Sequence, residues 1–429
     1  MIIVIGGGPA GRMAAMRLAS AGREVTLIEK RKLGGQCVFD GCMLVCALND
    51  IARSIENAAH MHGLGLLDGS LQVDYPCVLK RLEETQAKLA HILEKETCAA
   101  GVHVEYGKEA EVRNGKVFVD GIERMAEAVI IATGAELNMP DIPGIDLKQV
   151  YTPRSLRTMQ RLPKRMVIVG GGISGAEFAY IYAAFGVQVT LVARSSLLGI
   201  LPDTLLADAR RDLHRVDIRE HAVLMAINGT DAVESVTVDG EEIPCDAVLC
   251  TTGFKPTSPY VTGVARREDG AIITDPNTME TSLKGVYAAG DVCGAPYFTP
   301  VSRLQGFAAA DAILGTPRTV DLAQIPFAVV LGRDYVVCPA RESGTTESYP
   351  NIAGPGSYWN VIDASIGHME LTTASDGRIL GFASSSPSGG LVGTYLGYLV
   401  RKGVTVHEFS PLLEVHPLPD GLYSMIRFS

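Results

Sequence analysis

IIVIGGGPAGRMAAMRLASAGREVTLIEK, Ile2 to Lys30, reads as strand, glycine turn, helix and strand in that order. The apolar run Ile2 to Ile5 enters Gly6-x-Gly8-x-x-Gly11, and Ala14, Ala15, Leu18 and Ala19 then fall on one side of a helix. Val25 to Ile28 form a second strand that ends at Glu29. Each part has a physical task. Gly6 permits the tight turn, Gly8 lets the backbone approach a pyrophosphate, and Gly11 lets helix and strand pack closely. The helix N-terminus stabilises the pyrophosphate charge. Glu29, eighteen residues past Gly11, is placed to accept hydrogen bonds from a ribose. A glycine pattern alone is weak; with strand, helix and acid all in place it specifies a dinucleotide fold.

The pattern recurs in MVIVGGGISGAEFAYIYAAFGVQVTLVAR, Met166 to Arg194, where Gly170-x-Gly172-x-x-Gly175 joins the strand Met166 to Val169 to a helix. Val187 to Val192 closes the unit. Two such folds imply two nucleotides, most simply a flavin and a nicotinamide. At the second site the ribose acid is absent: Ala193 stands there and Arg194 follows. A 2′-phosphate meets no repulsion at such a site and can pair with the arginine, so NADP is favoured over NAD. The alternative is that Arg194 points into solvent.

A chain of 429 residues points to two or three domains. The apolar fraction of 47% with 20% charged residues fits a globular protein with a sizeable core. No run approaches the roughly 18 apolar residues of a membrane span. The strand MIIVI stands ahead of any room for a signal peptide, which points to the cytoplasm. A net charge of −10 disfavours nucleic acid or an anionic membrane as partner.

Three of the nine cysteines lie in LGGQCVFDGCMLVC, Leu33 to Cys46. Cys37, Cys42 and Cys46 read as metal ligands, as a redox disulfide or as small core residues. Zinc needs four ligands, and no partner pair stands elsewhere, so no metal is assigned. The other six, Cys77, Cys98, Cys245, Cys250, Cys293 and Cys338, read as buried small hydrophobes.

At this point the sequence resembles the pyridine nucleotide–disulfide oxidoreductases, the family of dihydrolipoamide dehydrogenase, glutathione reductase and mercuric reductase. GGQCVFDGC, which contains Gly35, is similar to the family's redox segment. VIIATGAE, with Thr133 and Gly134, and VLCTTGFKPT, with Gly253, resemble its two crossovers between domains. GVYAAGDV resembles the second flavin fingerprint, with Gly290 and with Asp291 on the ribityl chain. FTPVSRLQGFAAADAI resembles the helix that follows, with Thr299 beneath the flavin ring; GRILGFASSS and EVHPLP resemble landmarks of the dimerisation domain.

The resemblance implies an α/β chain with two doubly wound, Rossmann-like dinucleotide domains and a C-terminal α+β dimerisation domain. Residues 1–147 and 271–319 would bind FAD, 148–270 would bind NAD(P), and 320–429 would form the homodimer interface. It also implies that Cys37 and Cys42 form the redox disulfide. Electrons would pass from NAD(P)H to FAD, to the disulfide, and on to a small-molecule or protein disulfide. Cys42 would face the flavin, Cys37 would attack the substrate, and His416, reaching across the dimer, would move the proton.

Two positions depart from the family. Its Cys-x-x-x-Lys continues here as Cys42-x-x-x-Cys46, while the glutamate that pairs with that lysine remains as Glu177. Either Cys46 is a third redox thiol, or it fills the space the lysine left and Glu177 takes another partner. Five residues after His416, where the family has a glutamate, stands Gly421, with Asp420 beside it. Two other readings follow: a reductase of polysulfide, persulfide or a thiophilic metal that uses Cys46, and a flavoprotein electron-transfer subunit of a larger complex.

Overall fold

Val4, Ile5, Leu27, Ile28, Val129 and Ile130 are all buried, and they form the centre of a five-stranded parallel sheet. Its order is Val286–Ala288, Ala128–Ile131, Ile2–Ile5, Val25–Glu29 and His103–Tyr106. Strands covered on both faces read as continuous apolar runs, which is why "IIVI" and "AVII" show no alternation. Each fully buried Val, Ile or Leu contributes about 1.5–3 kcal/mol. The helices Pro9–Ser20 and Thr299–Ile313 cross closely, because a Cβ on Gly306 would lie 2.3 Å from the Ala10 carbonyl oxygen.

The second glycine motif builds a second five-stranded parallel sheet. Its order is Val216–Glu220, Gln188–Ala193, Arg165–Val169, Ala247–Cys250 and Val150–Tyr151. The C-terminal part is α+β. Phe327–Val330, Asp334–Cys338, Ile379–Ser386, His368–Thr373 and Thr345–Pro350 form an antiparallel sheet. Val392, Leu396 and Val400 of the helix Gly389–Lys402 share a core with Val336, Leu371 and Phe382 of that sheet.

The computed structural model describes residues 1–409, 411–413, 415–418 and 421. The chain divides into two compact units. One comprises Met1–Leu44, Pro76–Met139 and Thr252–Leu322; the other comprises Val45–Tyr75, Pro140–Thr251 and Ala323–Ser429. Among the described residues no helix is long and apolar enough to cross a membrane.

Four of the six scattered cysteines are buried as expected. Burial pushes the Cys250 and Cys338 thiols up to about 11 and those of Cys245 and Cys293 up to about 12, so all four stay protonated at neutral pH. Cys77 and Cys98 correct the expectation, since both are exposed. They lie on the long helix Tyr75–Ala99, whose inward side is taken by Tyr75, Gln86 and Thr97, and a two-faced helix leaves its other positions in water.

Candidate active site

In the first glycine loop Gly6 has φ +103°, and a Cβ there would lie 2.3 Å from the Ala132 carbonyl oxygen. A Cβ on Gly11 would lie 2.0 Å from the Gly6 oxygen, whereas one on Gly8 would meet no atom within 4 Å. The loop is therefore tight where helix meets strand and open where the helix begins. Glu29 is buried at the end of its strand and braces this loop. One carboxylate oxygen accepts the Gly7 N–H at 2.7 Å, and the other accepts the Arg31 N–H at 2.6 Å. Gly35, with φ +56°, packs against Gly8, a Cβ there coming within 2.9 Å of the Gly8 Cα.

That contact sets the start of the short helix Gly35–Phe39, which carries Cys37. Buried Gln86 donates to the Val38 and Phe39 carbonyls at 3.0 Å each, holding the turn toward the next helix, Cys42–Gly63. Cys37 and Cys42 are thereby brought together. The Thr299 hydroxyl lies 3.4 Å from the Cys37 sulfur and 3.5 Å from that of Cys42. Cys42 opens one helix and Thr299 opens another, so two helix N-termini meet at the sulfurs. The hydrogen bond between the two thiols raises the Cys42 pKa above its ordinary value, with burial second and Thr299 opposing. Because Cys42 is exposed as a residue, the thiol pairing is the stronger cause.

Gly290 and Asp291 follow the outer strand of the first sheet. The Gly290 N–H donates to Gln305 Oε1 at 2.8 Å, and the Ser302 hydroxyl donates to Asp291 Oδ1 at 3.1 Å. Burial raises the Asp291 pKa, which marks a carboxylate short of donors. Gln86, Ser302 and Gln305 escaped the sequence reading. Their signal, a polar residue on an otherwise apolar helix side, is also that of any capped turn. Thr133 donates to the Thr257 carbonyl at 2.7 Å, and the Thr257 N–H donates to Gly134 at 3.1 Å. Asn138 N–H donates to the Gly253 carbonyl at 2.9 Å. These bonds tie the two crossover segments together.

The second loop repeats the first. Gly170 has φ +123°, a Cβ on Gly175 would lie 1.7 Å from the Gly170 oxygen, and one on Gly172 would meet nothing within 4 Å. Under Gly171 lies the methyl of Ala193, which a Cβ on Gly171 would meet at 2.5 Å. Arg194 is exposed beyond it. Glu177, on the helix of this fold, is buried, and its Oε1 accepts the Val330 N–H at 3.1 Å.

Cys46 is exposed one turn beyond Cys42 on the same helix. Among the described residues no three His, Cys, Asp or Glu side chains come together to hold a metal. His416 is exposed and precedes a cis peptide bond to Pro417. Gly421 is buried, and a Cβ there would lie 2.8 Å from that of Met369 and 3.1 Å from Asn351 Oδ1, so a glutamate has no room. Asp420 lies outside the described residues.

A dinucleotide fold that carries a close thiol pair, in a chain with a second dinucleotide fold, is the pattern of the nucleotide-dependent thiol–disulfide oxidoreductases. Residues 1–306 match the model of the pyridine nucleotide-disulphide oxidoreductases, and the chain belongs to that family. It is an FAD-dependent enzyme of a family whose electron donor is NAD(P)H. It is 28% identical to the dihydrolipoyl dehydrogenase of Bacillus subtilis, over 97% of this chain and 93% of that one. It is 29% identical to the mercuric reductase of Shigella flexneri, over 96% of this chain and 77% of that one. Its fold matches the HOCl-induced flavoprotein disulfide reductase RclA of Escherichia coli with a TM-score of 0.86 at 24% identity, covering 100% of this chain and 99% of that one. LpdA of Mycobacterium tuberculosis matches with a TM-score of 0.88 at 23% identity and the same coverage.

FAD fits the residues present. Open space faces Gly8 at a helix N-terminus, as a pyrophosphate requires. Glu29 keeps acceptor capacity after its two backbone bonds. Asp291, short of donors, suits a polyhydroxyl chain.

Proposed function

We propose that the enzyme reduces a disulfide substrate through a Cys37–Cys42 couple, drawing electrons from NADPH in preference to NADH. The observation that carries this reading is the thiol pair itself, both sulfurs within 3.5 Å of the Thr299 hydroxyl and joined by a hydrogen bond. Gly6, Gly8, Gly11, Glu29, Gly35, Thr133, Gly134, Gly290, Asp291 and Thr299 would hold FAD. When bound, FAD supplies the two-electron link between nicotinamide and disulfide. Gly170, Gly172, Gly175, Arg194 and Gly253 belong to the nicotinamide side, where Glu177 is a further candidate. Residues 1–147 and 271–319 are assigned to FAD, 148–270 to the nicotinamide, and 320–429 to dimerisation.

The chain's own chemistry then balances in two exchanges. The Cys37 thiolate attacks one sulfur of the substrate disulfide, forming a mixed disulfide and expelling one substrate thiolate. The Cys42 thiolate attacks the Cys37 sulfur, closes the Cys37–Cys42 bond and expels the second. His416 of the opposite copy takes the proton from Cys37 and returns it to the leaving thiolate. Exposed Leu391, Tyr395 and Tyr398 share one face of the helix Gly389–Lys402 and support a homodimer, which we place in the cytoplasm.

A third redox role for Cys46, with polysulfide or a thiophilic metal as acceptor, ranks lower, because the pairing of Cys37 with Cys42 at Thr299 suffices for a disulfide substrate. A purely electron-delivering subunit ranks lower still, since it has no use for the thiol pair. The test is differential alkylation with mass spectrometry on the flavin-loaded protein, before and after one anaerobic equivalent of NADPH. Cys37 and Cys42 are expected to change from blocked to alkylated. Thiols already alkylated before reduction, or unchanged after it, would overturn the reading.

A further inference from the structure

We propose that Gln86 and the Arg31–Asp40 pair are positioning residues for the second thiol exchange, clamping the turn between Cys37 and Cys42 so that ring closure wins over a lingering mixed disulfide. The proposal rests on the reading of Cys37 and Cys42 as the redox couple and extends it to three residues that the cysteine spacing does not mark.

The turn cannot hold itself. Its helix, Gly35–Phe39, has five residues, too few to be stable alone, and its last carbonyls have no helical partner. Two of these belong to Val38 and Phe39, and Gln86 Nε2 donates to both at 3.0 Å. Asp40 follows, 1% exposed, a carboxylate set inside the turn. Its N–H donates to the Gln36 carbonyl at 2.9 Å, and its Oδ2 accepts Arg31 Nη1 at 3.3 Å. Gly41 then lies against the same Gln36 oxygen, where a Cβ would come within 3.2 Å of it. Cys42 is next. Each residue from Val38 to Gly41 is thus fixed by a contact that involves neither sulfur.

Arg31 has an anchor of its own. Its backbone N–H is held by Glu29, whose other oxygen holds the Gly7 N–H. The clamp is therefore continuous with the first glycine loop, and it lies with both thiols in one compact unit. For packing alone, an apolar residue would fill the place of Asp40 at lower cost than a buried charge. The exchange chemistry supplies a reason for the pair. Cys42 reaches the Cys37 sulfur only when both sulfurs are presented together, as they are at the Thr299 hydroxyl. A turn held in that geometry raises the effective concentration of one thiol at the other.

The experiment equilibrates the flavin-loaded protein with glutathione and glutathione disulfide and quenches it with an alkylating agent. Mass spectrometry then compares the Cys37–Cys42 disulfide with the Cys37–glutathione mixed disulfide. The Cys37 thiolate attacks glutathione disulfide and expels one glutathione thiolate; Cys42 then closes the ring and expels the other. Gln86→Met keeps the bulk of the side chain and removes the donor; Arg31→Met removes the cation and leaves the backbone bond to Glu29 in place. Each should raise the ratio of mixed to intramolecular disulfide about tenfold and retain flavin, which places the potential of the couple about 30 mV higher. Arg31→Lys should bring the ratio back toward the wild type. Val112→Ala, a cavity in the core of the same unit, should lower Tm without moving the ratio. An unchanged ratio in Gln86→Met and Arg31→Met, or an equal change in Val112→Ala, would overturn the clamp. No intramolecular disulfide in the wild type at any glutathione ratio would overturn the Cys37–Cys42 couple itself, and the clamp with it.

Discussion

The two glycine loops are near copies in backbone and differ at their far ends. Both turn on a glycine with φ above +100°, both press the third glycine against the first, and both leave the middle one facing open space. In the first, Glu29 reaches up to the Gly7 N–H; in the second, the Ala193 methyl lies under Gly171, and Ser196 meets His221 beyond the strand ends. The backbone pattern provides for a pyrophosphate in either case. What distinguishes one nucleotide from another is set about twenty residues later, at a strand end. The first loop alone also packs against the segment of the thiol pair, because Gly35 lies on Gly8 and opens the helix that carries Cys37.

The largest expected effect tests that last asymmetry. Cys37→Ser or Cys42→Ser should cost roughly 10³-fold or more in turnover of a disulfide substrate, each alone about as much as both together, because the pair acts as a unit. Steady-state kinetics of single and double variants would settle it, and additive losses would show that the two thiols act separately. Gly11→Ala and Gly175→Ala come next, each driving a methyl into a backbone carbonyl at a cost of about 3 kcal/mol. Urea unfolding should show similar losses for both, yet only Gly11→Ala should shed flavin. Flavin loss from Gly175→Ala as well would mean that the loops are not independent sites.

Glu29→Ala leaves the buried Gly7 N–H without its acceptor, a loss of about 1–3 kcal/mol, and should lower both Tm and flavin retention. The reciprocal change, Ala193→Glu, gives the second loop the first loop's brace. It should move the NADPH-to-NADH ratio of kcat/KM toward NADH by about tenfold; an unchanged ratio would break the comparison. The smallest effect concerns protons. The Cys42 pKa is raised by its bond to Cys37, so the reduced flavin-free pair stays protonated through neutral pH. Folding favours that protonated form, and the contribution is lost only as pH rises through the elevated value. Alkylation of Cys42 should therefore be slow at pH 7 and rise with pH, and Cys37→Ala should move the curve to lower pH.

Local signals made the two dinucleotide folds legible, because turn, helix start and strand end lie within thirty residues of one another and each requires a particular residue type. The buried cysteines at 245, 250, 293 and 338 were also legible, lying in or beside apolar segments. Cys77 and Cys98 were not, since a thiol's side of a long helix depends on what packs against that helix. Gln86, Ser302 and Gln305 were invisible for the same reason: Gln86 and Gln305 each hold a backbone group, and Ser302 a carboxylate, 11 to 48 residues away.

By itself, then, the sequence determined two nucleotide sites, their glycine geometry and the presence of Glu29 in one and Ala193 in the other, because φ sign and side-chain charge are properties of single residues. The tertiary structure alone decided that Thr299 meets both thiols, that Glu177 takes the Val330 N–H, and that Ser196 meets His221. Those pairings depend on which strand ends and helix starts the packed sheets bring together, and no local spacing encodes them.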